Sequence, residues 1–392
     1  MATAKSQSVH LAGRVASLEA EWRWLHGLLT WVEKQGAGLP RKDELALVRE
    51  RMEGAVGRSI DPLRPRIEQL KASRRSAAER WSELDAIAKR LDAAAADLLP
   101  VAQGALARAA GVDRGVCALA EELVAFISGR TVGGERVVVP AAADHTSTGA
   151  WVIGLAMHEE GVWSLPVVAH ELSHVAAMDL RDHGGQLLAK ALIEGGWRDD
   201  PSLPVLPAGA PGPLPFGRAS ELFADLFGAY CVGPAYAAAL MARSVAVGAW
   251  AGHGDHPPDA ARLRAVLRLL EGHPAGWVSD FVRSDWKASL RAAGEVYSPV
   301  TATTAAVDGF TRRAVEVLDL TASRARFEGG DAVLEVGQDL RKGTPPPPDA
   351  DLRTVINGAW GERVRDARSV PKIESAVSAW MSARPRPNVG AG

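Results

Sequence analysis

Residues 164–178 read Ser164-Leu-Pro166-Val-Val-Ala-His170-Glu171-Leu-Ser-His174-Val-Ala-Ala-Met178, and the rest of the chain is best understood from this stretch outward. A serine in the cap position, a proline tolerated in the first turn and a run of helix-compatible residues predict a helix from about Leu165 to Met178. On such a helix His170 and His174, four residues apart, project from one face about one turn from each other. Two imidazoles so placed can bind one Zn²⁺, and Glu171 lies beside that face, where it can take a proton from an activated water and pass it to a leaving amine. Two histidines packed on an amphipathic helix are the competing reading.

A catalytic zinc site needs a third protein ligand and an open fourth position. A glycine three residues and a histidine six residues after His174 would supply one known solution, but those positions hold Ala177 and Leu180, and His183 is out of place. A glutamate on a later helix, with an aspartate one turn on, is the other. Glu221-Leu-Phe-Ala-Asp225 fits it. Glu221 would ligate the metal, and Asp225 would accept a hydrogen bond from the far nitrogen of a ligating histidine and hold its tautomer. The alternative, a solvated helix face, sits poorly with Leu222, Phe223, Leu226 and Phe227, which predict a largely buried helix in which two carboxylates need a reason.

A third block, His256-Pro-Pro-Asp-Ala-Ala-Arg262-Leu, follows in order. Together the three blocks, spanning about Trp163 to Leu270, resemble the gluzincin peptidases that include the CAAX prenyl protease and the HtpX heat-shock protease. The resemblance implies His170, His174 and Glu221 as zinc ligands, Glu171 as general base and acid, and Asp225 as the carboxylate behind the ligands. It also implies His256 as a donor to the oxyanion of the tetrahedral intermediate, with Arg262 bracing that region through an ion pair. His256 before two prolines can equally cap a helix, and Tyr230 and Tyr236 are alternative electrophilic donors. The best-known members are embedded in membranes, whereas this chain has no spanning segment, so the resemblance bears on the zinc chemistry and not on substrate or location.

Two segments before the motif helix, Glu135 to Val139 and Ala150 to Ala156, are rich in β-branched residues and predict two short antiparallel strands. By analogy with gluzincins, the second is the candidate edge for pairing with an extended substrate. The Pro/Gly-rich stretch 195–217 reads as a long loop, a lid or a self-blocking segment.

Further out, Leu11, Val15, Leu18, Trp22, Leu25, Leu29 and Val32 form a heptad seam. Beyond Pro62 and Pro65 the 3–4 spacing resumes through Ile67, Leu70, Ala77, Trp81, Leu84, Ala88, Leu91 and Leu98, with Pro100 as its end. An antiparallel helical bundle with a buried seam is expected, or else a coiled-coil surface for a partner or self-association. Another helix runs from about Ala105 to Ser128; helices resume near Ser220, Pro258 and Trp277, and Thr344 to Asp349 reads as a stiff linker or turn. The expected organisation is mainly α with a small antiparallel β-sheet. A helical bundle occupies 1–110, a zincin-like catalytic core 111–295, C-terminal helices 296–384 and a disordered tail 385–392.

Composition narrows the function. With 392 residues, 47% apolar and 23% charged, the chain has the make-up of a soluble globular protein of more than one domain. Forty-five basic against 47 acidic residues argue against whole-chain affinity for nucleic acid or anionic membrane. Cys117 and Cys231 are too few for a disulfide framework or a thiolate metal cluster. No run of about 18 apolar residues and no signal-peptide core is present, which predicts a cytoplasmic protein without a membrane span. The expected activity is that of a soluble zinc-dependent endopeptidase with one Zn²⁺ per chain and a protein or peptide substrate. The alternative is a non-catalytic helical interaction or regulatory protein that carries the same zinc-binding module.

Overall fold

The computed structural model describes residues 2–73, 75–131, 136–142, 144–147, 151–156, 161–195, 214–243, 257–292 and 302–384. His256, most of the Pro/Gly-rich stretch (196–213) and the tail 385–392 lie outside them. The chain is mainly helical with one small sheet, and it clusters into two compact units: residues 1–117 with 136–157, and residues 118–135 with 158–392.

In the first unit, helices α1 (Ala2–His26), α2 (Leu28–Gly36), α3 (Lys42–Ser59), α4 (Leu63–Ala72) and α5 (Ala77–Ala109) share one apolar core. Leu11, Val15, Leu18, Trp22, Leu25 and Val32 are buried in it, so the heptad seam is consumed inside the unit. Leu28 takes the seam position expected of Leu29, which is half-buried, because the break at Gly27 between α1 and α2 shifts the register. The predicted long run after Pro65 is two helices. Ser76 stops the continuity by opening α5 with a capping box, its side chain accepting from the Glu79 backbone while the Glu79 carboxylate accepts from its own. Pro100, by contrast, does not end α5, which continues to Ala109. A proline forfeits one backbone bond, and burial of Val101, Ala102, Ala105 and Ala109 beyond it holds the helix together.

The sheet consists of β1 (Val137–Ala141), β2 (His145–Ser147) and β3 (Val152–Ala156), in the order β1-β3-β2. The two segments read from the sequence are therefore parallel, with Val137 opposite Val152, and not antiparallel. The cause is β2, three residues that fold back antiparallel on β3, with His145 opposite Gly154. Two reversals of direction leave β1 and β3 pointing the same way. β3 is also central, bonded on both sides, so it does not offer the free edge expected for an extended substrate. The sheet clusters with the N-terminal helices, not with the motif helix. Gly104 makes this possible, since a Cβ there would collide with the Pro140 carbonyl and Val139. Arg108 tightens the contact, donating to the Val138 carbonyl and to Glu44, each at 2.6 Å.

The second unit carries the motif residues. Helix α6 (Val116–Ser128) leads into it, and α7 (Leu165–Ala176), α9 (Phe216–Val232), α10 (Pro234–Arg243) and α11 (Asp259–Leu269) pack around the site. A short α8 (Leu188–Ile193) and then α12 (Gly276–Ala292), α13 (Ala302–Thr321), α14 (Asp331–Lys342), α15 (Leu352–Arg365) and α16 (Val370–Ala383) complete it. No helix among the described residues is long and apolar enough to cross a membrane.

Candidate metal centre

Helix α7 is entered through a 3-10 turn, Gly161–Ser164, that is clamped from the C-terminal helices. Trp163, buried, donates from its indole to Glu374 at 3.0 Å and meets Trp360 edge-on, with the Arg363 guanidinium over both rings. Ser164 sits at the cap position in a helical conformation and its side chain makes no capping bond, so the preceding turn and Pro166 start the helix instead. The helix ends at Ala176.

His170 and Glu171 are buried and His174 is half-buried, with the two imidazoles 5.0 Å apart and nearly perpendicular. Helix α9 packs against α7 and brings Glu221 to them. One oxygen of its carboxylate lies 3.4 Å from His170 Nε2 and the other 3.6 Å from His174 Nε2. Ligand atoms of all three residues fall within 4.8 Å of one another. This cluster can hold a metal ion.

No protein family, curated protein or solved structure matches this chain.

The donor set itself provides a test of fit. Donors about 2.0 Å from a shared tetrahedral ion stand about 3.3 Å from each other, and the two Glu221 distances are close to that edge. Burial works against a positive charge on His170, yet contacts with Asp225 and Glu221 outweigh it and push its pKa up to about 10. A metal ion at Nε2 would take the place of that proton.

Behind the cluster, Asp225 has no exposed surface and takes part in four close contacts. Arg262 on α11 donates to both carboxylate oxygens, from Nε at 2.6 Å and Nη2 at 2.8 Å. The Tyr236 hydroxyl donates to Oδ1 at 2.7 Å, and His170 Nδ1 lies 3.1 Å from the same oxygen. Burial alone would raise the Asp225 pKa, but Arg262 and His170 hold it well below the usual carboxylate range. Arg262, itself buried, is raised by the same pair. An ionised Asp225 requires a proton on His170 Nδ1, so Nε2, the nitrogen facing Glu221, is the one that a metal could occupy once its own proton has left.

The structure thus brings together His170, His174, Glu221, Asp225 and Arg262, with Glu171 on the same helix. Arg262 forms its ion pair with Asp225. Both tyrosines considered above as electrophilic donors have their hydroxyls engaged by other groups. Tyr230 donates to Asp319 at 2.9 Å, and the Tyr236 hydroxyl is engaged by Asp225 and by His170 Nδ1, on the side of the ring away from Glu221.

Sequence reasoning missed Asn357. Fully buried on α15, it accepts from the Ala235 amide at 2.8 Å and donates to the Val232 carbonyl at 2.6 Å. It thereby fastens the turn at Gly233, where φ is +92°, a conformation suited to glycine. That turn sets α10 against α9, and nothing in the local sequence around Asn357 points to a partner 122 residues away.

Proposed function

We propose that this chain is a zinc-dependent peptidase of the gluzincin kind. The observation that carries the reading is the convergence of His170 Nε2, His174 Nε2 and the Glu221 carboxylate, from two helices, with Glu171 next in chain to one of the ligands. The three donors carry one negative charge among them, so a bound Zn²⁺ would keep a net positive charge and supply Lewis-acid polarisation of a peptide carbonyl and of water at neutral pH. Glu171 takes the proton from the attacking water and returns it to the departing amine. Asp225 keeps the His170 ring in the tautomer and orientation that ligation needs, and Arg262 balances the charge of Asp225.

The test begins with metal content by elemental mass spectrometry after chelation and zinc repletion. About one zinc per chain is expected, and Glu221→Ala should retain only background. Glu171→Gln should keep the metal and lose hydrolysis of an unstructured protein substrate by about 10²–10⁴-fold, the usual weight of a general base. Absence of zinc after repletion overturns the reading at the metal. A zinc-loaded chain with no turnover on any substrate would instead favour a non-catalytic interaction module.

A further inference from the structure

Tyr236 is buried on α10 and sits behind the cluster, with its ring plane within 9° of the His170 imidazole. Its hydroxyl oxygen lies 3.0 Å from His170 Nδ1 and 2.7 Å from Asp225 Oδ1. These three atoms close a triangle, since Nδ1 is itself 3.1 Å from Oδ1. Only one arrangement of protons suits it. The tyrosine proton goes to the carboxylate, and the Nδ1 proton is shared between the carboxylate and the phenolic oxygen. Asp225 alone leaves the imidazole free to pivot about a single hydrogen bond, whereas two acceptors on either side of the N–H fix the ring's direction as well as its tautomer.

The place for this ring is prepared on α9. Gly228, one turn beyond Asp225, has no side chain to oppose it, and a Cβ there would come within 2.6 Å of the Tyr236 ring. Gly228 has an ordinary helical conformation, so its lack of a side chain matters here for space alone. A glycine inside a helix is less favourable than alanine, and seating Tyr236 is what it makes possible here.

We propose that Tyr236 is a positioning residue for the metal centre, holding the His170 imidazole jointly with Asp225, and that Gly228 is the gap that admits it. The inference rests on the metal reading above but not on peptidase activity. Partners of this type behind a metal-ligating histidine are worth about 10–100-fold in metal affinity.

The experiment uses the full chain, with Co²⁺ and Zn²⁺ as probes. Affinities are measured by competition with a chromophoric chelator, and ligand geometry is read from the visible absorption of the Co²⁺ form. Tyr236→Phe, which keeps the ring and removes one oxygen, should weaken both metals at least about tenfold and change the Co²⁺ spectrum. Gly228→Ala touches no polar atom, yet it should weaken binding in the same way by displacing the ring. The double variant should be no worse than the weaker single one, because both act through the same hydroxyl.

A Tyr236→Phe protein with affinity within twofold of the parent and a superimposable spectrum overturns the role of Tyr236. Additive losses in the double variant overturn the role of Gly228. If the parent binds neither metal, the metal reading falls and this inference with it. If it binds both but hydrolyses nothing, only the peptidase reading falls.

Discussion

Replacing Arg262 with methionine keeps an unbranched apolar stem but removes the guanidinium from a carboxylate that has no exposed surface. Asp225 then loses its charge-assisted bonds of 2.6 and 2.8 Å and keeps Tyr236 and His170. Breaking one side of a buried pair costs about 3–5 kcal/mol. Protonation sets a ceiling, because an aspartate forced to stay neutral at pH 7 costs about 4 kcal/mol relative to an unfolded pKa of about 3.9. A loss of about 3–4 kcal/mol is therefore expected. With two compact units in the chain, whole-chain melting is a poor measure. Hydrogen exchange of peptides from α9 and α11, in chelator, reads the unit that contains the pair. Protection there should fall by about two to three orders of magnitude, at about 1.4 kcal/mol for each tenfold.

The pH dependence gives a second check. In the parent, Asp225 titrates below its unfolded value, so its stabilisation is present above that value and declines as the pH falls through it. In Arg262→Met the folded pKa is raised instead, and acidification favours the folded variant. The gap between the two proteins should therefore narrow from pH 7 to 5.5, by up to about 1.4 kcal/mol per unit. Adding Asp225→Asn to Arg262→Met should restore part of the protection, since no charge then remains to be buried. A change below about 1 kcal/mol in the single variant, or a gap that widens on acidification, would refute the view of Asp225 as an ionised group sustained by Arg262.

Two other perturbations test the surroundings of the site. Asn357→Ala leaves the Ala235 amide and the Val232 carbonyl without their partner in a buried turn, at about 1–3 kcal/mol each; exchange at the α9–α10 junction should rise and Co²⁺ affinity fall, while unchanged exchange would show that Asn357 does not hold the turn. Gly104→Ala drives a methyl into the Pro140 carbonyl and Val139 and should destabilise the first unit by about 1–3 kcal/mol in hydrogen exchange of β1, whereas full protection would show that α5 and β1 have room to part.

The centre was legible where the chemistry is encoded by local spacing. His170, Glu171 and His174 are read from one helical turn, and Glu221 and Asp225 from another, because helical periodicity converts i, i+4 into a common face. The apolar seam of α1 was legible for the same reason. What escaped depends on contacts distant in sequence. The direction of β1 relative to β3 is decided by a three-residue strand too short to show a pattern, and Pro100 is overruled by burial on both sides of it. The Tyr236 hydroxyl was readable as a polar group near the site but not as one facing the back of the His170 ring. Its trace in the sequence is Gly228, an empty position between Phe227 and Ala229 in the buried stretch of α9. The Ser76-x-x-Glu79 box that separates α4 from α5 was present to be read and is a local signal like the others.

The clamp on the turn before α7 has a consequence in time. Trp163 closes on Glu374 across 211 residues of chain, and Asn357 reaches back 122 residues to the α9–α10 turn. Contacts so far apart must wait for the intervening chain to be made. A growing polypeptide will hold the histidine pair long before it holds the supports of that pair, so alignment of the pair waits for α15 and α16. A chain released before α15 is made would carry His170, His174 and Glu221 and lack the frame that aligns them.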